Sequence, residues 1–271
     1  MGAELDRLTL ALDSAAAQGV VVITGAGVSL ASGIPTFRGT DPGAVWARDV
    51  TELGTLAYFR RDPLGSWRWY LERFSQVLRA RPNPAHHALA ALERWHAGGG
   101  GELLLVSQNI DTLHEAAGSQ RLVKVHGSVD RVRCCRDGCT LGAPAGSLAR
   151  DQAGLERFAA APLAENLPRC PRCDSLLRPH VLWFDEYYQG HDDYQIERVL
   201  AAADAAALLL FVGTSFSVGV TDLLLRAAWR RRTPVLAIDP VAASSHPPGV
   251  ELLCAAAEGL LPAAVQCLAG R

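Results

Sequence analysis

Val20-Val21-Val22-Ile23-Thr24-Gly25-Ala26-Gly27 is the stretch that decides how this chain folds. Four consecutive β-branched apolar residues predict a strand buried on both faces, since a strand with one wet face would alternate apolar and polar residues. The Gly-Ala-Gly behind it allows close backbone approach. Followed by a helix, it is the usual way of holding a dinucleotide pyrophosphate against helix N–H groups. The pattern alone is incomplete: position 30, where a third glycine belongs, is Leu30, and no clear acid follows the next strand at the usual place.

Outward from this stretch the rhythm repeats. Upstream, Leu5, Leu8, Leu12, Ala15 and Ala16 recur at helical spacing, and Gly19 stops that helix. Downstream, apolar runs of strand length occupy 103–106, 208–212 and 235–238, with helical stretches such as 85–95 and 194–203 between them. Alternating buried strands and helices predict an α/β fold, a Rossmann-like doubly wound parallel sheet with helices on both faces. Two segments break the rhythm. Residues 36–84 are helical and rich in aromatics (Trp46, Tyr58, Phe59, Trp67, Trp69, Tyr70, Phe74), and 129–179 hold five of the seven cysteines, several prolines and little strand signal. We read both as insertions that build a smaller lobe, within a single domain whose large part takes in 1–35, 85–128 and 180–271.

Composition narrows the class. Of 271 residues 49 % are hydrophobic, enough for a sizeable core, and 26 basic against 28 acidic residues leave a net charge of −2. A broad surface for nucleic acid is not expected from that balance. The basic run Arg230-Arg231-Arg232 follows a predicted helix over 222–229 and suits its C-terminus. No apolar stretch reaches the roughly 18–20 residues that span a bilayer, so no membrane partner is expected. Glu4, Asp6 and Arg7 do not make a secretory start. An odd number of cysteines argues against a disulfide scaffold, so a reducing, cytoplasmic setting is expected, with the chain a monomer.

Cys134 and Cys139 form a C-x4-C pair, followed about thirty residues later by the C-x2-C pair Cys170 and Cys173. Four thiolates close a tetrahedral shell, so the metal expected here is one structural zinc ion with no open position for substrate. Cys135, beside Cys134, leaves the first ligand open on spacing alone. Cys254 and Cys267 read as small apolar core residues. His126, just after the apolar 122–125, is on its own either a hydrogen-bonded core histidine or a general base. Asn109 and Asp111 are either a strand-end Asx turn or polar partners for a ligand.

The whole of Gly25-Ala-Gly-Val-Ser-Leu-Ala-Ser-Gly-Ile-Pro-Thr-Phe-Arg-Gly39 resembles the signature loop of the sirtuins. So do Gln108-Asn109-Ile110-Asp111, Val125-His126-Gly127-Ser128 and Gly213-Thr214-Ser215, in the expected order over most of the chain. The resemblance implies NAD-dependent removal of acyl groups from protein lysines. The acyl oxygen attacks the ribose carbon bearing nicotinamide, and nicotinamide departs. His126 then helps deprotonate a ribose hydroxyl, which attacks the resulting imidate, and water releases free lysine and O-acyl-ADP-ribose. It further implies His126 and Asn109 as catalytic residues, with Gly25, Ala26, Gly27, Ser29, Gln108, Asn109, Asp111, Gly213, Thr214 and Ser215 on NAD. Phe37 would cover the reacting ribose, with Arg38 beside it. Among the cysteines the resemblance favours Cys134 as the first zinc ligand.

Four further features bear on specificity. Tyr70 and Arg73 lie three apart on a predicted helix, matching the pair that marks sirtuins preferring succinyl or malonyl groups; guanidinium can grip a carboxylate bidentately. The competing reading is a core Tyr70 and a solvent-facing Arg73. His180-Val181-Leu-Trp183-Phe184-Asp185-Glu186 resembles the segment that pairs an acyl-lysine peptide by strand addition, with Val181, Trp183 and Phe184 on the substrate and Asp185 where the family has glycine. Asp239, ending a strand where asparagine is common, suits a ribose diol and repels a 2′-phosphate, favouring NAD over NADP. Ala257 falls in a segment similar to the family's adenine edge. The rival expectations are an NAD glycohydrolase or ADP-ribosyltransferase, for which Tyr70, Arg73 and 181–186 would have no use, and a non-catalytic NAD or acyl-lysine reader, for which His126 would have none.

Overall fold

The computed structural model describes residues 2–36, 51–241 and 246–270. The expectations for Phe37 and Arg38 fall outside these described residues. In chain order the strands are β1 (Gly19–Thr24), β2 (Glu102–Ser107), β3 (Leu122–Lys124), β4 (Gly127–Cys134), β5 (Leu148–Ala149), β6 (Leu177–Val181), β7 (Leu208–Val212), β8 (Val235–Asp239) and β9 (Glu251–Cys254). Six of them form one sheet of order β3-β2-β1-β7-β8-β9, and every neighbouring pair in it is parallel.

Alternate residues along the strands feed two separate cores. Val20, Val22, Leu103, Leu105, Leu208, Leu210, Leu236 and Ile238 pack on one face, against helices Gly2–Ser14, Pro84–Gly98 and Ala257–Ala269. Val21, Ile23, Leu104, Val106, Leu209, Phe211 and Ala237 face the other way, toward helices Ile196–Ala205 and Gly219–Arg231. This is the doubly wound arrangement, and it explains why these strands read as unbroken apolar runs. From β1 the chain builds outward through β2 and β3, then returns to place β7 on the other side of β1. The crevice beyond the C-terminal ends of β1 and β7 is therefore the topological switch point, where open α/β sheets bind their ligands.

The second lobe has its own three-stranded antiparallel sheet, β5-β4-β6. It packs with helices Leu56–Arg61, Pro63–Arg79 and Leu155–Ala160 around Trp67, Tyr70, Phe74, Phe158 and Leu177, so the aromatic insertion and the cysteine-rich one share one core. The Trp67 indole N–H donates to the Leu177 carbonyl at 2.9 Å. Strand signal is weak in this region because β6, Leu-Arg-Pro-His-Val, buries the polar Arg178 and His180 between the apolar Leu177 and Val181. Two further expectations are corrected. Cys254 lies exposed on the edge strand β9, and Cys267 is exposed on the last helix, so neither is a core residue. Among the described residues, no helix is long and apolar enough to cross a membrane.

Candidate active site

The loops after β1 and β7 lie against each other so closely that their glycines are dictated by protein rather than ligand. Gly25 N–H donates to the Val212 carbonyl at 3.0 Å and Gly27 N–H to the Gly213 carbonyl at 2.9 Å. A Cβ on Gly25 would stand 2.6 Å from the Gly213 oxygen, and one on Gly213, whose φ is +58°, 2.5 Å from the Val28 nitrogen. The loop runs directly into a seven-residue 3₁₀ helix, Ala26–Ser32, and not into the α-helix of the standard dinucleotide loop. The missing third glycine agrees with that difference, because no long helix has to pack against the sheet here.

Beside this loop stands a buried polar cluster. Asn109 Nδ2 donates to the Gly25 carbonyl and to Ser29 Oγ, both at 3.1 Å, and Ser29 Oγ donates to Asp111 Oδ2 at 2.9 Å. Asp111 Oδ1 accepts the Leu113 N–H at 3.1 Å. With both its N–H groups committed, Asn109 has its carbonyl oxygen to offer a ligand amide. Ser29 and Asp111 set that orientation. Lys124, which sequence reasoning missed, holds the same turn through the Ile110 carbonyl and an ion pair with Glu115 at 3.0 Å. Gln108 Nε2 donates to Thr214 Oγ1 at 3.2 Å and so ties the β2 end to the β7 loop, where Ser215 is exposed.

His126 follows β3 at the same edge of the sheet. Its Nδ1 lies 2.6 Å from the Gln108 carbonyl, and since a carbonyl only accepts, Nδ1 carries the hydrogen and Nε2 is the basic nitrogen. Burial lowers the imidazole pKa, while the bond to the Gln108 carbonyl raises it; the first prevails and the ring is held neutral. Nε2 faces the Tyr188 hydroxyl at 3.3 Å, and the two rings stack with centroids 5.9 Å apart. The neighbouring Gly127 has φ +79°, and a Cβ there would meet the His180 carbonyl at 2.2 Å, so only glycine lets β6 cross directly behind the histidine.

Leu182 N–H donates to the His126 carbonyl at 2.9 Å, which brings the 180–186 segment to the histidine. Val181 and Trp183 are buried and Phe184 is exposed. Glu186 pins the segment's turn: its carboxylate accepts from Arg178 at 2.6 and 2.8 Å, from Arg133 at 2.9 Å and from the Trp183 N–H at 3.0 Å. Asp185 accepts the Leu56 and Ala57 N–H groups at 2.7 and 3.0 Å, capping helix Leu56–Arg61 from outside. These polar anchors have no periodic signal in the sequence.

Tyr70 is buried in the small-lobe core, and its hydroxyl accepts a hydrogen bond from the Trp183 indole N–H. Arg73 lies with its guanidinium 4.3 Å over the Trp69 ring. The two are thus close on one helix, with Tyr70 engaged to the peptide-type segment and Arg73 stacked on its neighbour. Asp239 ends β8 at the same sheet edge as the loops above, its carboxylate accepting the Val241 N–H at 2.9 Å. Ala257 opens the last helix with its side chain in the large core, so only its backbone is available to a ligand.

The thiols of Cys134, Cys139, Cys170 and Cys173 converge within 4.8 Å of one another, with Cys134–Cys173 at 3.5 Å and Cys139–Cys170 at 3.7 Å. A zinc ion bound to sulfur at about 2.3 Å in a tetrahedron needs sulfurs about 3.8 Å apart, so the four thiols fit it. Cys135 is exposed and outside this cluster, whereas Cys134 is one of its four thiols.

A family model described as Sir2 family matches residues 25–220, spanning every element of this site up to the β7 loop. The chain belongs to the Sir2 family. Among the relatives of this Sir2 protein, an NAD-dependent protein deacylase of Thermus thermophilus is 40 % identical over 225 residues, covering 83 % of this chain and 80 % of that one. One from Pyrococcus abyssi is 38 % identical over 202 residues, 74 % and 73 % of the two chains. The solved structure of a Sir2 homologue–NAD complex superimposes with a TM-score of 0.75 at 33 % identity, covering 98 % of this chain and 94 % of the other.

Proposed function

We propose that this chain uses NAD and water to remove acyl groups from protein lysines, giving nicotinamide, O-acyl-ADP-ribose and free lysine. The observation that carries this reading is His126, whose Nδ1 is tied to the Gln108 carbonyl at the end of β2 so that Nε2 is the basic nitrogen, directly beside the segment 180–186. The donor set suits NAD: the Asn109 carbonyl for an amide, hydroxyls at Thr214 and Ser215 for phosphates, and the Asp239 carboxylate for a ribose diol that carries no 2′-phosphate. When bound, NAD supplies an electrophilic ribose carbon, a leaving nicotinamide and the adjacent hydroxyls.

The chain's own residues then have distinct tasks. Asn109, held from two sides, fixes the amide end. Ser29 and Asp111 keep Asn109 from turning, and alignment of this kind can supply on the order of 7–11 kcal/mol for a nucleophile as weak as an amide oxygen. His126 Nε2 takes the proton of a ribose hydroxyl, with Nδ1 anchored on the Gln108 carbonyl. The segment Val181, Trp183 and Phe184 receives the acyl-lysine chain by strand addition. Cys134, Cys139, Cys170 and Cys173 would hold one zinc ion that ties the small lobe together and leaves no open position for substrate.

We further read Tyr70 and Arg73 as favouring acidic acyl groups, succinyl or malonyl, over acetyl. Their support is the i, i+3 spacing on helix Pro63–Arg79 and the Tyr70 hydroxyl at Trp183. A charge-assisted bond of roughly 1.5–3 kcal/mol corresponds to about 10- to 100-fold preference. The test is nicotinamide release from NAD, without peptide and with matched acetyl-, malonyl- and succinyl-lysine peptides. Release only with peptide, accompanied by O-acyl-ADP-ribose, is the expected outcome, with the acidic peptides fastest. Steady release without peptide would replace this reading with an NAD glycohydrolase, and equal rates on all three peptides would remove the role given to Tyr70 and Arg73.

A further inference from the structure

We propose that Tyr188 is a positioning residue for the reaction: its hydroxyl holds the basic nitrogen of His126 and keeps the imidazole neutral until substrate takes its place. This deepens the deacylase reading and rests on His126 being its general base.

Three contacts carry it. The Tyr188 oxygen accepts the Val220 N–H at 3.2 Å, so its own hydrogen is directed to its other neighbour, His126 Nε2, at 3.3 Å. Nε2 is the nitrogen without a hydrogen, because Nδ1 donates to the Gln108 carbonyl. The rings are stacked 20° from parallel, which fixes the imidazole plane as well as its tautomer. Tyr188 itself is held from both sides. Two residues before it, Glu186 is locked between Arg133 and Arg178. On the other side, the Tyr188 ring packs against the core cluster to which helix Gly219–Arg231 contributes Val220 and Leu224. The phenol therefore bridges three elements: the turn after the peptide-type segment, the β7-side helix and the histidine.

A hydroxyl that donates to the neutral imidazole favours the neutral form, so Tyr188 adds to what burial already does. Charged groups on the neighbouring elements are engaged elsewhere. Asp111 is bonded to Ser29 and the Leu113 N–H, Lys124 is paired with Glu115, Glu186 with its two arginines, and Asp222 on the Val220 helix is exposed. Tyr188 is thus the titratable side chain in direct contact with the ring among the described residues.

The experiment is Tyr188→Phe in the zinc-loaded full chain, read two ways. Imidazole titration by NMR, with the His126 signal identified from its loss in His126→Ala, is expected to show the His126 midpoint rising by roughly 0.5–1 pH unit, the equivalent of one net hydrogen bond. The acid limb of the pH profile for steady-state O-acyl-ADP-ribose formation, the step that needs the His126 base, is expected to move up by the same amount. Phe keeps the ring stacking, so a purely structural tyrosine would leave both curves in place, and that result overturns the proposal. In the unaltered protein, the Nε2 nitrogen shift offers a check that needs no variant. A hydrogen-bonded, unprotonated Nε2 is expected, and a free one or an Nε2–H tautomer overturns the proposal. If the chain releases no nicotinamide with any peptide, the deacylase reading falls, while the NMR titration still decides what Tyr188 does to His126.

Discussion

In the large sheet, β1 and β7 bury Val20 to Ile23 and Leu208 to Val212 with no charged side chain among them, whereas β4 and β6 of the small sheet bury Arg133, Arg178, His180 and Cys134. Burial in the large lobe is non-directional, worth roughly 25 cal/mol per Å² of apolar surface and tolerant of detail. In the small lobe each buried guanidinium and thiol needs a specific partner, and loss of one partner leaves the other uncompensated. The substrate-side residues belong to this second kind of construction. The two lobes should therefore fail separately, and the small one first.

The largest effect should come from the metal. With Cys170→Ser, or with a strong chelator, the Cys134–Cys139–Cys170–Cys173 cluster loses a ligand or its ion, and structural zinc contributes on the order of 10 kcal/mol in small metal-folded domains. Hydrogen exchange should speed up through β4 and β6 and stay slow in β1, β2 and β7, with deacylation abolished. Equal loss in both sheets would erase the distinction between the lobes.

Glu186→Ala is next, at about 3–5 kcal/mol, because it strands two buried guanidiniums. This residue also sets a pH dependence. Burial raises its pKa, but the hydrogen bond and charge of Arg178 and the charge of Arg133 lower it further, leaving it below the ordinary 4.5. A carboxyl with a depressed folded pKa contributes its full stability above the unfolded value and loses it as pH falls through the folded one. Melting temperature in the wild type should thus drop below about pH 4.5 partly on this account, and the drop should be shallower in Glu186→Gln. An unchanged slope would mean that the two arginines are satisfied without it. Leu210→Ala, in the centre of the large sheet, should cost roughly 2–5 kcal/mol and leave zinc content untouched.

The same contrast explains what could be read from the sequence. β1, β2, β7 and β8 were legible because double burial turns them into continuous apolar runs, and His126, Asn109 and the C-x2-C pair because their motifs are local. β9 was not, since on this short edge strand Glu251 and Cys254 are exposed and only Leu253 is fully buried. β4 and β6 were not, because buried arginine, histidine and cysteine look like surface or metal chemistry until their partners are known. Tyr188 touches His126 across 62 residues of sequence, a pairing that no periodicity announces. Gly25 and Gly27 stand out in the sequence as a phosphate loop, while the fold requires them first for the approach of Gly213.

Asp185 should give the smallest effect and the sharpest one. Helix Leu56–Arg61 is only six residues long, and its first donors are satisfied from two directions: Thr55 Oγ1 takes the Tyr58 N–H at 3.1 Å, and Asp185 takes those of Leu56 and Ala57. A carboxylate at a helix N-terminus both accepts these bonds and opposes the dipole, worth about 0.5–2 kcal/mol. Asp185 is exposed, so the lower half of that range applies and global stability should barely move in Asp185→Gly. Exchange at the Leu56 and Ala57 amides should rise instead, together with KM for the acyl peptide, since Asp185 also ties the exposed Phe184 to the Gly54 carbonyl side of the insertion, where the Phe184 N–H donates at 3.1 Å. Were global stability to fall by several kcal/mol, this exposed corner would have to be counted with the buried polar framework of the small lobe rather than as a local tie across its surface.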